Sequence, residues 1–166
     1  MGCEVEVNAP IELVFERLTD WQSQGEWMLG THIEMLSPPP PDTLRTLQST
    51  NLSTAPSDTS RIGEKFRAFT GIGPLGFWDY MTVTRWEPPY KVEVVHTGNV
   101  VRGLGVMHLT AQRPDITKFE WSEEIEWPLG VLGRIGWPVV RPFFLAGIRH
   151  SLHKFAKYVE SHARRP

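Results

Sequence analysis

Hydrophobic and polar residues alternate from the start of the chain. Val5 and Val7 point one way and Glu4 and Glu6 the other, the two-residue period of a half-buried strand. The period then changes: Ile11, Val14, Phe15 and Leu18 are three and four apart, one apolar stripe on a short helix. Pro10 falls in its first turn, where a missing N–H does no harm. Asp20 can cap a second helical turn carrying Trp21, Trp27 and Met28 close that region, and a strand is predicted over 32–36.

From Arg61 onward there are five runs of strand character, IGEKFRAFT, GFWDYMTVTRWE, YKVEVVHTG, VRGLGVMHLTAQR and ITKFEWSEEIEW. Turn residues separate them at 71–76, 88–89, 98–99 and 114–115, so the runs are expected to pair as an antiparallel meander. In the last segment Val140, Phe144, Ile148, Leu152, Phe155 and Val159 recur at helical spacing. Arg149, Lys154, Lys157, Glu160 and Arg164 fall mainly on its other side. This order predicts an α+β fold: a curved antiparallel sheet, two short helices, and a long C-terminal helix lying over a hydrophobic cavity.

Two stretches interrupt the pattern. Residues 37–60 are rich in Pro, Ser and Thr, and read as a loop insertion, with one edge strand near 44–47, in a single domain spanning 1–166. Residues 127–148, WPLGVLGRIGWPVVRPFFLAGI, are the least polar part of the chain, yet Arg134, Arg141 and three prolines make a transmembrane segment untenable. They are expected to form a loop, a broken turn and the first turns of the final helix, and they leave peripheral contact with a membrane surface open.

Composition narrows the function classes. A net charge of −2 over 166 residues lacks the concentrated Lys and Arg that a nucleic-acid partner requires. Cys3 alone provides neither an intramolecular disulfide nor a multi-cysteine zinc site. The start, MGCEVEV, has no basic and apolar regions of a secretory signal, and Glu6 departs from the myristoylation pattern, so a cytoplasmic location is expected. The one marked excess is in Trp, seven residues, which fits a bulky core or a wall for an apolar or aromatic ligand.

Candidate chemistry follows from strand parity. Glu123 shares a face with Phe119, Trp121, Ile125 and Trp127; a lone carboxylate among apolar groups needs a partner or a raised pKa. His96 shares a face with Val92 and Val94, and Asp79 with Phe77, Met81 and Val83, while Arg85 continues that parity as a partner for a carboxylate. His108, between Met107 and Leu109, is expected to face outward. Glu123, His96 and Asp79 are thus the catalytic candidates, set against an ion-paired or edge-exposed Glu123 and a satisfied core histidine at His96, the readings that need no catalysis. The expected cavity lining is Trp78, Met81, Val83, Val94, His96, Met107, Trp121 and Glu123 from the sheet, with Phe144, Ile148 and Phe155 from the final helix. His150, His153 and His162 lack the spacing of a metal site, so no metal or other cofactor is expected. GIGPLG at 71–76 matches G-x-G-x-x-G only formally, because a strand and not a helix follows it, and it reads as a hairpin turn.

The segments VNAPIELVFERLTDWQSQGEWM, RIGEKFR, VTRWEPPYKVEV and LAGIRHSLHKFAKYVE resemble the START-like, polyketide cyclase/dehydrase (SRPBCC) superfamily over nearly the whole chain. The resemblance implies a helix-grip fold and binding, transport or sequestration of a small hydrophobic or aromatic molecule or a lipid. The alternative it implies is a cyclase or dehydratase acting by acid/base chemistry on an aromatic polyketide-like substrate. It also implies that 71–76 borders the cavity entrance as a lid, and that 37–60 is longer than the usual connection. A membrane-peripheral or protein-interaction module using 127–148 is a third reading. The oligomeric state is not legible.

Overall fold

The computed structural model describes residues 1–37, 61–72, 75–99, 101–126 and 130–163, with backbone alone at 72, 75, 125, 126, 130–141, 143 and 144. Strand β1 (Gly2–Val7) leads into α1 (Ile11–Leu18), one 3-10 turn (Trp21–Ser23), α2 (Gln24–Trp27) and β2 (Thr31–Met35). Strands β3 (Lys65–Ile72), β4 (Leu75–Glu87), β5 (Lys91–Thr97), β6 (Arg102–Arg113) and β7 (Ile116–Glu126) follow, and α3 (Gly130–Ala163) ends the described chain. The strands form one antiparallel sheet in the order β1-β7-β6-β5-β4-β3-β2. The meander runs from β2 to β7, and β1 returns to pair with the last strand. This curled half-barrel with a long C-terminal helix is the helix-grip fold. The insertion expected over 37–60, with its edge strand near 44–47, lies beyond Ser37 outside the described residues.

The alternating pattern decides which face is buried. On the concave face β1 places Cys3, Val5 and Val7, β5 places Val92, Val94 and His96, and β7 places Thr117, Phe119, Trp121 and Glu123. The apolar stripe of α1 buries Ile11, Val14, Phe15 and Leu18. The second half of α3 supplies Leu152, Phe155, Ala156 and Val159 to the same core. Phe155 sits between Trp27 and Phe119, with ring centroids 4.8 and 5.4 Å away. Polar ties fix the helix in place: the Asn8 side-chain amide donates to Glu160 Oε1 at 2.7 Å, and the Leu29 N–H donates to Ser151 Oγ at 3.1 Å.

A buried carboxylate joins the helical region to the sheet. Glu64 Oε2 accepts from Trp21 Nε1 at 3.0 Å and from Arg61 Nε at 2.8 Å. Arg61 in turn donates to the Thr19 carbonyl at 3.0 Å and lies 4.7 Å over the Trp86 ring. Burying a carboxylate is tolerable when charge and hydrogen bonds both answer it.

Three expectations are corrected. The register of β4 against β5 shifts between Val83 and Arg85, so parity reverses there. Trp86 therefore enters the core, and Arg85 turns outward to pair with Glu87 at 2.8 Å and Glu93 at 3.6 Å. The final helix begins at Gly130, so it continues through Pro138 and Pro142 where a loop and broken turn were expected. Each proline removes one N–H···O bond, which weakens a helix without ending it when flanking residues keep helical backbone. Third, Trp78 lies on the outer face, opposite in parity to Asp79 and Met81. There it packs edge-on to Phe69, with Arg67 4.1 Å over its ring. Among the described residues no helix is long and apolar enough to cross a membrane.

Candidate functional site

Sheet register assembles a polar cluster on the otherwise apolar concave face. Met81, His96, Gly103 and Ile125 stand opposite one another across β4, β5, β6 and β7. The neighbouring row is Val83, Val94, Gly105 and Glu123. His96 and Glu123 are therefore two strands apart, roughly 10 Å of backbone at the usual strand spacing. Between them β6 offers only glycines on this face, so the two side chains meet above it. Asp79 reaches the same point from β4.

The geometry is close on both sides of the ring. His96 Nδ1 lies 2.7 Å from Asp79 Oδ2, and His96 Nε2 lies 3.2 Å from Glu123 Oε2. Trp121 Nε1 donates to the other Glu123 oxygen at 2.6 Å. All three titratable residues are more than nine-tenths buried: Asp79 is 8%, His96 8% and Glu123 6% exposed. Carboxylates only accept, so two of them beside one imidazole favour the doubly protonated cation over the neutral ring. Burial opposes that charge, but the Asp79 and Glu123 carboxylates outweigh it and raise the His96 pKa from the ordinary 6.5 to about 10.

Not every acceptor is used. Asp79 Oδ1 is buried without a hydrogen-bond partner, and the His96 Nε2–Glu123 Oε2 approach is an ion pair whose angle falls short of a hydrogen bond. The 2.7 Å separation from Asp79 suits a proton held between N and O. Among the described residues no group of three or more His, Cys, Asp or Glu is arranged to hold a metal ion.

The structure thus brings Asp79, His96 and Glu123 together, with Val83, Val94, Met107, Trp121 and the half-buried Met81 around them on one face. Ile148 is half-buried against the core, and Phe155 is wholly buried as a member of it. Phe144 lies in α3, its side chain outside those described. His108 is exposed on the outer face, 3.6 Å from Glu120. His150 and His153 are exposed on α3. At the 71–76 stretch β3 and β4 pair antiparallel, with Gly71 opposite Gly76 and Ile72 opposite Leu75, and residues 73–74 lie outside the described ones. A groove of about 520 Å³ opens at the β1 edge, bordered by the outward His108 and Glu120, the α3 residue Arg149, and Cys3 and Trp121, the last of which it shares with the cluster. Its largely polar border distinguishes it from the apolar cavity expected between sheet and helix.

Two glycines were missed in sequence, and one tryptophan was read only in part. Gly103 and Gly105 share the parity of Met107, and two small residues on an inward face are the signal that larger side chains cross there. Trp121 appeared only as an apolar wall, whereas its indole N–H also holds Glu123.

Comparison with known proteins agrees with this architecture. No curated protein matches the chain. A conserved protein from Geobacillus kaustophilus superposes with a TM-score of 0.64 at 18% identity, covering 96% of this chain and 93% of that one. The Zhui aromatase/cyclase from Streptomyces sp. R1128 superposes with a TM-score of 0.72 at 13% identity, covering 99% and 94%. A START superfamily protein from Mycobacterium smegmatis gives 0.58 at 14% identity, covering 98% and 95%. At such identities these likenesses speak to fold alone. The family model described as polyketide cyclase/dehydrase and lipid transport matches residues 3–160, and the chain belongs to that family.

Proposed function

We propose that this chain binds a small hydrophobic or aromatic molecule against the concave face of its sheet, beneath α3, with the Asp79–His96–Glu123 cluster as the polar point that orients it. The single observation carrying this reading is the cluster itself. An apolar face that ends in three convergent polar groups, with an acceptor left open, has the composition of a ligand site. Half-buried Met81 and Trp121 beside it supply apolar contact. Affinity comes from apolar surface removed from water, roughly 25 cal/mol per Å², and orientation from the polar groups. Native mass spectrometry of the purified chain, followed by titration with fatty acids and polycyclic aromatics read by Trp fluorescence, tests this. One-to-one saturable uptake is the expected result. Absence of both copurifying ligand and saturable uptake overturns it.

A second reading, a cyclase or dehydratase, is favoured by the convergence of three titratable groups. His96 held as the cation is a poor base at neutral pH, so Glu123 would take the substrate proton while His96 gives its own proton to the departing hydroxyl, which leaves as water. Loss of water from an aromatic polyketide mimic, followed by mass and abolished in Glu123→Gln, supports it. Binding of the mimic without chemical change argues against it.

A further inference from the structure

We propose that the Asp79–His96–Glu123 cluster is an anchor for a cationic group, so that the preferred ligand carries an ammonium on an apolar body. This rests on the ligand-binding reading above and names the chemistry of its polar end. Counted as two carboxylates and one imidazolium, the cluster bears a net charge of −1 in a place removed from water. Buried charge of one sign is costly until an opposite charge answers it. Elsewhere in the fold the chain supplies that answer: buried Glu64 has Arg61 at 2.7 Å. Among the described residues no Lys or Arg is paired with Asp79 or Glu123, whose one cationic neighbour is the His96 they share.

The cluster also holds buried acceptors without a hydrogen-bond partner. Asp79 Oδ1 has no hydrogen-bond partner, and Glu123 Oε2 meets His96 only through a poorly angled contact. An ammonium brings three donors and the missing positive charge. A hydroxyl brings one donor and no charge, and a carboxylate brings a like charge toward two carboxylates. The cluster therefore ranks ligands of equal apolar area by the charge at their tip.

Isothermal titration calorimetry on the full chain at neutral pH with naphthylmethylamine, naphthylmethanol and naphthoate reads this ranking directly. The amine is expected to bind about tenfold or more tightly than the alcohol, equivalent to roughly 1.4 kcal/mol, and the acid most weakly. In Asp79→Asn and Glu123→Gln the amine advantage is expected to shrink to within about threefold while the alcohol still binds. Saturable binding in which the alcohol or the acid equals the amine overturns the cation anchor and leaves ligand binding standing. No binding by any of the three, together with no uptake of fatty acids or polycyclic aromatics, overturns both. A preference for the amine that survives intact in both variants also overturns the anchor, because the selectivity then comes from elsewhere. The ranking on the native chain is decisive even if a variant fails to fold.

Discussion

A Cβ added at Gly105 would stand 3.0 Å from Val94 Cγ2, 3.1 Å from His96 Nε2 and 3.2 Å from Glu123 Oε1. None of those three can retreat easily, since all are buried and two hold each other by charge. Gly105→Ala is expected to cost about 1–3 kcal/mol of stability, the range for overpacking a filled interior. It should also lower the His96 pKa from about 10, because the added methyl parts the imidazole from Glu123. Urea unfolding and NMR titration of the imidazole measure the two effects, and an unchanged titration would show that glycine is not what lets the pair close. The same histidine sets a pH dependence. Facing it are Asp79 from β4 and Glu123 from β7, the latter held by Trp121. The folded pKa of about 10 exceeds the ordinary 6.5, so the folded state binds the proton more tightly. The stabilisation is complete below pH 6.5 and is lost as pH rises toward 10, a decline of a few kcal/mol across that window. Thermal unfolding from pH 6 to about pH 10 should show the decline in the native chain and a flatter profile in His96→Gln.

Strands and helices were legible wherever the burial period was regular, and became illegible where a partner strand altered it. Residues 92–96 and 119–123 kept their alternation, so His96 and Glu123 could be placed inward from sequence. The shift beside Thr84 could not be read, because a bulge depends on how β4 meets β5 and not on the composition of β4. Trp78 misled for another reason: aromatic character argued for the interior, but its parity placed it with Phe69 and Arg67 outside. The contact of three groups at one point was out of reach, since it needs the order of four strands as well as their faces. Another tie invisible in sequence joins Trp21 of the helical region to Arg61 and Glu64, just before β3. Its members differ in what their loss leaves behind. Arg61→Met strips a buried carboxylate of its charge partner and is expected to cost about 3 kcal/mol. Trp21→Phe removes one neutral donor and little apolar area, and should cost about 1 kcal/mol. Chemical denaturation of both variants checks the order, and equal losses would mean that the ring contacts, not the charge, hold this junction.

Under the proposed function, the two ends of the concave face would divide stability and binding between them. At one end Leu152, Phe155 and Val159 of α3 are fully enclosed by the sheet, α1 and α2. At the other, Met81 and Trp121 are only half-buried around charged groups. A solid contact holds the helix on the sheet, so in the proposed function the looser end would accept a guest without unfolding the whole. Truncations at the two ends should therefore have different signatures. Phe155→Ala empties a site closed by Trp27 and Phe119 and is expected to cost about 3–5 kcal/mol, with ligand affinity per folded molecule nearly unchanged. Met81→Ala removes a side chain that solvent already reaches, so it should cost no more than about 1.5 kcal/mol. Its effect belongs to binding: the side chain stands beside His96 in the row where a ligand would lie, and its loss should weaken affinity for an aromatic guest severalfold. Denaturation midpoints and calorimetric titrations on the same two proteins separate these outcomes. If Phe155→Ala weakened binding as much as Met81→Ala, the packed and receptive ends would be one cooperative unit, and the proposed division of the face would fail.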